Sequence, residues 1–181
     1  GGIYPRTLKA VPLSPEARAL LGIEAAQPTP QEVVAAVLKL DVDLLWFGGI
    51  GTYIRASSES DADVGDRAND AVRVAAADLR ATVIGEGANL GVTQRGRIEA
   101  ARRGITINTD AIDNSAGVNT SDMEVNIKIA LAAPVRAGTL ARDARNDLLH
   151  RMTNEVAALV LRNNCEQTLA LSLAERRGME Y

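Results

Sequence analysis

The spacing of apolar residues has two regimes, and the change between them falls near Gly117. Before it, short apolar runs alternate with glycine turns and helical stretches; after it, only helical spacing remains. Residues 1–11 show no period and predict an extended lead-in. Ser14-Pro15-Glu16 then sets a capping serine ahead of a proline at the first helical position, and Gly22 supplies a stop. Thr29-Pro30-Gln31-Glu32 repeats that start, with Val33, Val34, Val37, Leu38 and Leu40 following at helical spacing. Val42 to Phe47 is a buried-strand pattern running into the turn Gly48-Gly49-Ile50-Gly51. The polar stretch 57–70 predicts a surface loop leading into a helix over about 67–77. Thr82 to Glu86 is a second strand, Gln94 to Arg103 a helix stopped by Gly104, and Ile105 to Asn108 a third strand. Strands alternating with helices at this pitch predict a parallel α/β sheet.

Downstream, Ser121-Asp-Met-Glu124 has the spacing of a capping box, in which the serine accepts a backbone N–H and the glutamate reaches back to the cap. The helix it opens should end near Ala133-Pro134. A longer amphipathic helix is predicted over 142–163, with Leu148, Leu149, Met152, Val156, Leu159 and Val160 on one face, and a last helix over 166–177 before Gly178. The division predicted is an α/β part over residues 1–117 and an all-helical segment over 118–181.

At 181 residues the chain suits one domain, or one domain with a helical appendage. Aromatics make up only 3%, so the core must be aliphatic. A net charge of -3, with Lys and Arg scattered, disfavours nucleic acid as a partner, because that binding needs concentrated positive charge. No apolar run approaches the roughly 20 residues a membrane span needs, so no membrane association is expected. The single cysteine, Cys165, excludes an internal disulfide and a Cys-rich zinc site, and points to a reducing, cytoplasmic setting. His150 is the only histidine, which excludes a Ser-His-Asp triad and a multi-histidine metal site; it reads as helix surface. Asp61-Ala-Asp63-Val-Gly65-Asp66 mimics a calcium loop, but Gly65 takes the fifth position and Val72 the twelfth, so a solvated acidic loop is the better reading. Asp110 and Asp113 are spaced to form a carboxylate pair, but general acid–base work needs a partner and a geometry that sequence does not show. The opening Gly1-Gly2-Ile3, with no initiator methionine, suggests a piece of something longer.

The turn at Gly48-Gly49-Ile50-Gly51 lacks the third glycine of a dinucleotide fingerprint, since Ile54 stands there; it reads better as a tight strand-end turn past which a ligand can lie. Two further segments carry small residues beside an asparagine: Gly85-Glu-Gly-Ala-Asn89 after a strand, and Asn114-Ser-Ala-Gly-Val118 before a helix. Small residues allow close backbone approach by a planar ligand, and Asn offers a donor and an acceptor that match a carboxamide. A helix N-terminus favours a carboxylate. Glycine-rich connectors of an α/β sheet remain an alternative on this pattern alone.

Val83-Ile-Gly-Glu-Gly-Ala-Asn89, with Gly117-Val118 and Ser121 through Glu124 downstream, resembles the amino-acid dehydrogenase superfamily of glutamate dehydrogenase. The longer runs Asp43 to Tyr53, Gly91 to Arg97 and Asn108 to Gly117 resemble the very large bacterial NAD-specific glutamate dehydrogenases, and the likeness extends over essentially the whole chain. The resemblance implies a partial Rossmann-like sheet: an incomplete nucleotide-binding domain over 1–117, followed by the helical segment 118–181. It implies NAD as cofactor, with Phe47, Gly48 and Gly49 beside the adenosine half and Glu86, Gly87, Ala88 and Asn89 at the nicotinamide ribose. It assigns L-glutamate, or 2-oxoglutarate, to Asn114, Gly117, Val118 and Ser121, where Val118 packs on the substrate side chain and Ser121 binds its γ-carboxylate. Leu90-Gly91-Val92-Thr93 departs from the Pro-Thr-Thr of smaller dehydrogenases, and Ser115-Ala116 from their Ala-Gly. The pyrophosphate-binding strand-turn-helix and the catalytic lysine and aspartate are implied to lie upstream, so this chain carries no catalytic residue and no metal site. The reaction implied is oxidative deamination: a hydride leaves Cα for nicotinamide, and water hydrolyses the imine to 2-oxoglutarate and ammonium. Partners are then the remainder of the same polypeptide and further copies in a homo-oligomer. The competing reading is a non-catalytic assembly module whose helical tail, from about Pro134, mediates contacts.

Overall fold

The computed structural model describes residues 2–5 and 7–178. Gly1 and Arg6 of the expected lead-in, and residues 179–181 of the expected helical segment, lie outside the described residues. Two compact units divide the chain, Gly1–Thr109 and Asp110–Tyr181.

Local chemistry starts the first unit's helices. Ser14 caps α1 (Pro15–Leu21) by accepting the Ala17 N–H, and Thr29 caps α2 (Pro30–Leu38) in a reciprocal box with Glu32. The lead-in is tied down by the Val11 N–H, which donates to the Pro28 carbonyl at 2.8 Å. Strand β1 (Leu44–Phe47) precedes two features too short to show a period. These are strand β2 (Ile54–Arg55), parallel to β3 (Val74–Ala75), and helix α3 (Asp61–Val64). The helix expected over 67–77 is instead a 3-10 turn over Arg67–Val72 followed by β3. Arg73 explains the change. Its buried guanidinium donates to the Thr52 and Asp66 carbonyls and to Asp61 and Asp70, drawing the chain out of a helical path.

Strand β4 (Val83–Glu86), helix α4 (Gln94–Arg102) and strand β5 (Thr106–Ile107) complete the unit. The main sheet is three-stranded and wholly parallel, in the order β1-β4-β5. The α/β architecture expected from the alternating pattern is therefore present. One face of this sheet and α4 enclose a core of Phe47, Ile84, Val92, Ala100 and Ile105, extended by Leu38, Ile54, Val74 and Leu79. On the other face Leu44 and Trp46 are exposed.

Among the described residues the second unit consists of helices and their connections: α5 (Asp110–Asp113), α6 (Ser115–Arg136), α7 (Arg142–Arg151) and α8 (Thr153–Arg177). Three boundaries differ from those expected. Ser121 is not a helix cap: α6 already begins at Ser115, with Asn114 in the capping position, and Gly117 costs too little to interrupt it. Pro134 lies inside α6 near its end, where proline's fixed φ still fits and one hydrogen bond is lost. The predicted helix over 142–163 breaks at Met152 and then continues unbroken through 166. At the break, the Thr153 hydroxyl donates to the His150 carbonyl at 2.8 Å, competing with the helical ladder. The Asn163-Asn164 pair does not break α8, because the Asn164 amide is spent elsewhere, donating to the Ile112 carbonyl and the Ser115 hydroxyl.

Candidate functional site

Parallel strands run the same way, so the turns that leave β1 and β4 emerge at the same edge of the sheet. The register pairs Trp46 with Gly85 and Phe47 with Glu86, which makes Phe47-Gly48-Gly49 and Glu86-Gly87-Ala88-Asn89 neighbours at the carboxyl ends of adjacent strands. Ligands of open α/β sheets bind at such ends. The two turns are also pinned to one another: the Gly91 carbonyl accepts from the Tyr53 N–H at 2.9 Å and the Ile54 N–H at 3.1 Å. Phe47 is buried and stacks on Tyr53 with ring centres 5.8 Å apart.

The glycines of the two turns answer to different neighbours. A β-carbon built on Gly85 would lie 2.6 Å from the Trp46 ring, and one on Gly87 would also collide with it, so the indole lies directly against this backbone. A β-carbon on Gly48 would have the Trp46 ring as its nearest contact, at 3.9 Å, and one on Gly49 would meet nothing within 4 Å among the described residues. Packing among the described residues therefore does not explain glycine at 48 and 49. At the far side, Asn89 and Leu90 are exposed, and Leu90 has φ of 60°, a left-handed conformation rare for a bulky side chain.

Glu86 sits at 0% exposure. One of its carboxylate oxygens accepts the Val92 N–H at 3.0 Å and the other accepts from Arg97 Nη2 at 2.6 Å. Its side chain is thus buried in the protein, where it bridges the end of the turn and α4. Arg97, on α4, was not singled out by sequence reasoning, because a partner eleven residues away leaves no local signature. Gly91 was missed likewise; a β-carbon there would meet Phe47 at 3.1 Å and Glu86 at 3.2 Å.

The four positions expected from the resemblance to meet substrate lie in the second unit. Asn114 precedes the first turn of α6, and Gly117, Val118 and Ser121 follow at helical spacing, so all four share one face. The Asn114 carbonyl accepts the N–H groups of Gly117 and Val118, both at 3.0 Å, which starts the helix. The Asn114 side chain lies over Gly117, where a β-carbon would come within 2.6 Å of its Oδ1. Val118 lines an open groove of about 540 Å³ between α6 and α8, with Asn119, Asp122, Asn163 and Gln167. Ser121 is exposed inside the helix.

The acidic loop over 61–66 is engaged by protein donors. Arg73 and then Arg55 hold the Asp61 carboxyl below its ordinary range. The Thr52 N–H and then the Asn69 amide do the same for Asp66. The Ser57 hydroxyl and N–H depress Glu99, fastening α4 to the segment after β2. Among the described residues no group of three His, Cys, Asp or Glu side chains is arranged to hold a metal ion, and no helix is long and apolar enough to cross a membrane.

The family described as bacterial NAD-glutamate dehydrogenase, catalytic domain, matches residues 1–174. The NAD-specific glutamate dehydrogenase of Mycobacterium tuberculosis is 58% identical over 173 residues, covering 92% of this chain and 11% of that protein. That of Pseudomonas aeruginosa is 53% identical over 180 residues, covering 99% and 11%, and that of Halomonas elongata 52% over 175 residues, covering 97% and 11%. The chain thus spans about 11% of the length of the curated relatives it matches.

Proposed function

This chain belongs to the catalytic-domain family of bacterial NAD-glutamate dehydrogenases, and from that premise we propose that it supplies part of the cofactor and substrate sites of an enzyme that oxidatively deaminates L-glutamate to 2-oxoglutarate and ammonium. The observation that carries the reading is the adjacency of the two glycine turns at the carboxyl ends of β1 and β4. The residues there suit a dinucleotide. Uncrowded backbone at Gly48 and Gly49 admits close approach, and exposed Asn89 offers a donor and an acceptor at the neighbouring turn. When bound, NAD supplies the hydride acceptor.

The chain's own contribution is positioning. Phe47, Gly48 and Gly49 form one wall of the dinucleotide site, and Gly87, Ala88 and Asn89 the next, with Glu86 acting from beneath. On α6, Val118 supplies apolar contact for the substrate side chain, Ser121 donates its hydroxyl to the γ-carboxylate, and Asn114 and Gly117 shape the approach. The catalytic lysine and aspartate belong to other segments of a longer cytoplasmic polypeptide. Kinetics of the intact protein test the assignment. Asn89→Ala is expected to raise the KM for NAD, and Ser121→Ala to lower kcat/KM for glutamate by about 1.5–3 kcal/mol, the scale of a hydrogen bond to a charged group. Wild-type constants in both variants would remove these segments from the site.

An assembly role for the helical tail has its own support. Leu161, Cys165, Leu169 and Leu173 recur every fourth residue along α8 and are all exposed. If this stripe joins copies of the chain, Leu161→Glu with Leu169→Glu lowers the sedimenting mass; an unchanged mass assigns no assembly role to it.

A further inference from the structure

The turn between β4 and α4 is closed from below by a buried ion pair. Glu86 is the last residue of β4, and its carboxylate reaches past the whole turn to accept the Val92 N–H. The second oxygen is held by Arg97, at the second turn of α4, whose Nη1 donates to Gln94 and whose Nη2 also lies 3.4 Å from the Val92 carbonyl. One carboxylate therefore links the strand that enters the turn, the residue that leaves it and the helix that follows. Gly91 leaves no space for the pair to shift, since even a β-carbon there would press on Glu86 and Phe47. The turn so enclosed contains Leu90 with its left-handed backbone, a conformation that persists only where the surroundings hold it.

A buried ion pair adds little net stability relative to apolar residues of the same volume, so the more specific effect available to it is geometric. We propose that Arg97 is a positioning residue for the dinucleotide: through Glu86 it sets the shape in which residues 87–91 are presented at the sheet end. This rests on the reading of that turn as part of the NAD site.

The test uses the intact protein with two variants, Arg97→Lys and the neutral pair Glu86→Gln/Arg97→Gln. NAD affinity is measured by calorimetric titration, glutamate KM by kinetics, and turn order by amide hydrogen exchange over residues 87–92. Lysine keeps the charge but loses the planar fork, so Arg97→Lys is expected to weaken NAD binding about tenfold and to speed exchange across 87–92 by a similar factor. Exchange at Ile84 and the KM for glutamate should stay within about twofold, a selectivity that general loosening of the fold would not give. If Arg97→Lys does not fold, the neutral pair, which removes both buried charges and the reach of the guanidinium, carries the same expectations. Folded variants with unchanged exchange and unchanged NAD affinity overturn the proposal, as does failure of both to fold, which makes the pair a general stability element. Faster exchange with NAD affinity unchanged keeps the clamp and removes the turn from the cofactor site.

Discussion

A β-carbon at Gly49 would meet no heavy atom within 4 Å, and the backbone there is not left-handed. Gly49→Ala is therefore expected to keep Tm within about 2 °C of the parent, as for an uncrowded surface substitution. On the proposed function, a methyl group there should still cost NAD affinity, by about three- to tenfold. Titration showing parental affinity would take Gly49 out of contact with the cofactor. Asp61 carries a different kind of prediction. It accepts from Arg55 Nε and Arg73 Nη1, both at 3.0 Å, and these partners hold its folded-state pKa below the ordinary value. The stabilisation is then fully present above the unfolded value, about 3.9, and is lost as pH falls through the lower folded value. With 43% of the side chain exposed, solvent screening keeps this below about 1 kcal/mol. Urea midpoints of Asp61→Asn should accordingly depend less on pH below about 4 than those of the parent. Parallel curves would mean that Arg73 holds its loop through the Thr52 and Asp66 carbonyls and Asp70 alone.

Among the elements, α4 approaches β2 more closely than any side chain would permit. A β-carbon on Gly96 would come within 3.0 Å of the Arg55 carbonyl carbon, 3.1 Å of the Ala56 nitrogen and 2.9 Å of Thr93 Oγ1. Alanine gains about 1 kcal/mol in helix propensity, but forcing apart packed backbone costs about 1–3 kcal/mol. Gly96→Ala should therefore lower the urea midpoint, and a raised midpoint would show that the β2 segment yields. Sequence pattern and structure part company along a clear line at this scale. The starts of α1 and α2 are legible because a cap is a contact within four residues, at Ser14 and at Thr29 with Glu32. Strands β1 and β4 are legible as apolar runs ending in glycine. Strands β2 and β3 are not, since two residues have no period and the pairing of Ile54 with Val74 is set by Arg73 from a distance. Ser121 misleads because serine followed three residues later by glutamate also occurs inside helices. In the candidate site, the small-residue turns are visible in the sequence, but their adjacency comes from strand register, and Arg97 has no local signal at all.

At the scale of the molecule, burial is divided unevenly. The first unit holds a contiguous core from Leu38 to Ile105, whereas in the second unit Ile112 and Val160 are the only buried hydrophobic residues among those described. Helices α6 and α7 bury no residue. Folding must offset roughly 1–2 kcal/mol of backbone entropy per residue, chiefly by removing apolar surface from water, and two buried side chains contribute only about 1.5–3 kcal/mol each. The 25 residues of α8 are long enough for partial helicity in isolation, but that is a gradual equilibrium and not a cooperative fold. A peptide covering residues 110–178 is therefore expected to show reduced helical circular dichroism and no sigmoidal urea transition. Cooperative unfolding of that peptide as a monomer, with the slope of a packed domain, would overturn the expectation. Without such a transition, the four positions on α6 assigned to substrate under the proposed function belong to an element whose order depends on the rest of the polypeptide. On the proposed function, that makes the glutamate-binding face sensitive to the rest of the polypeptide, whereas the turns after β1 and β4 rest on a core of their own.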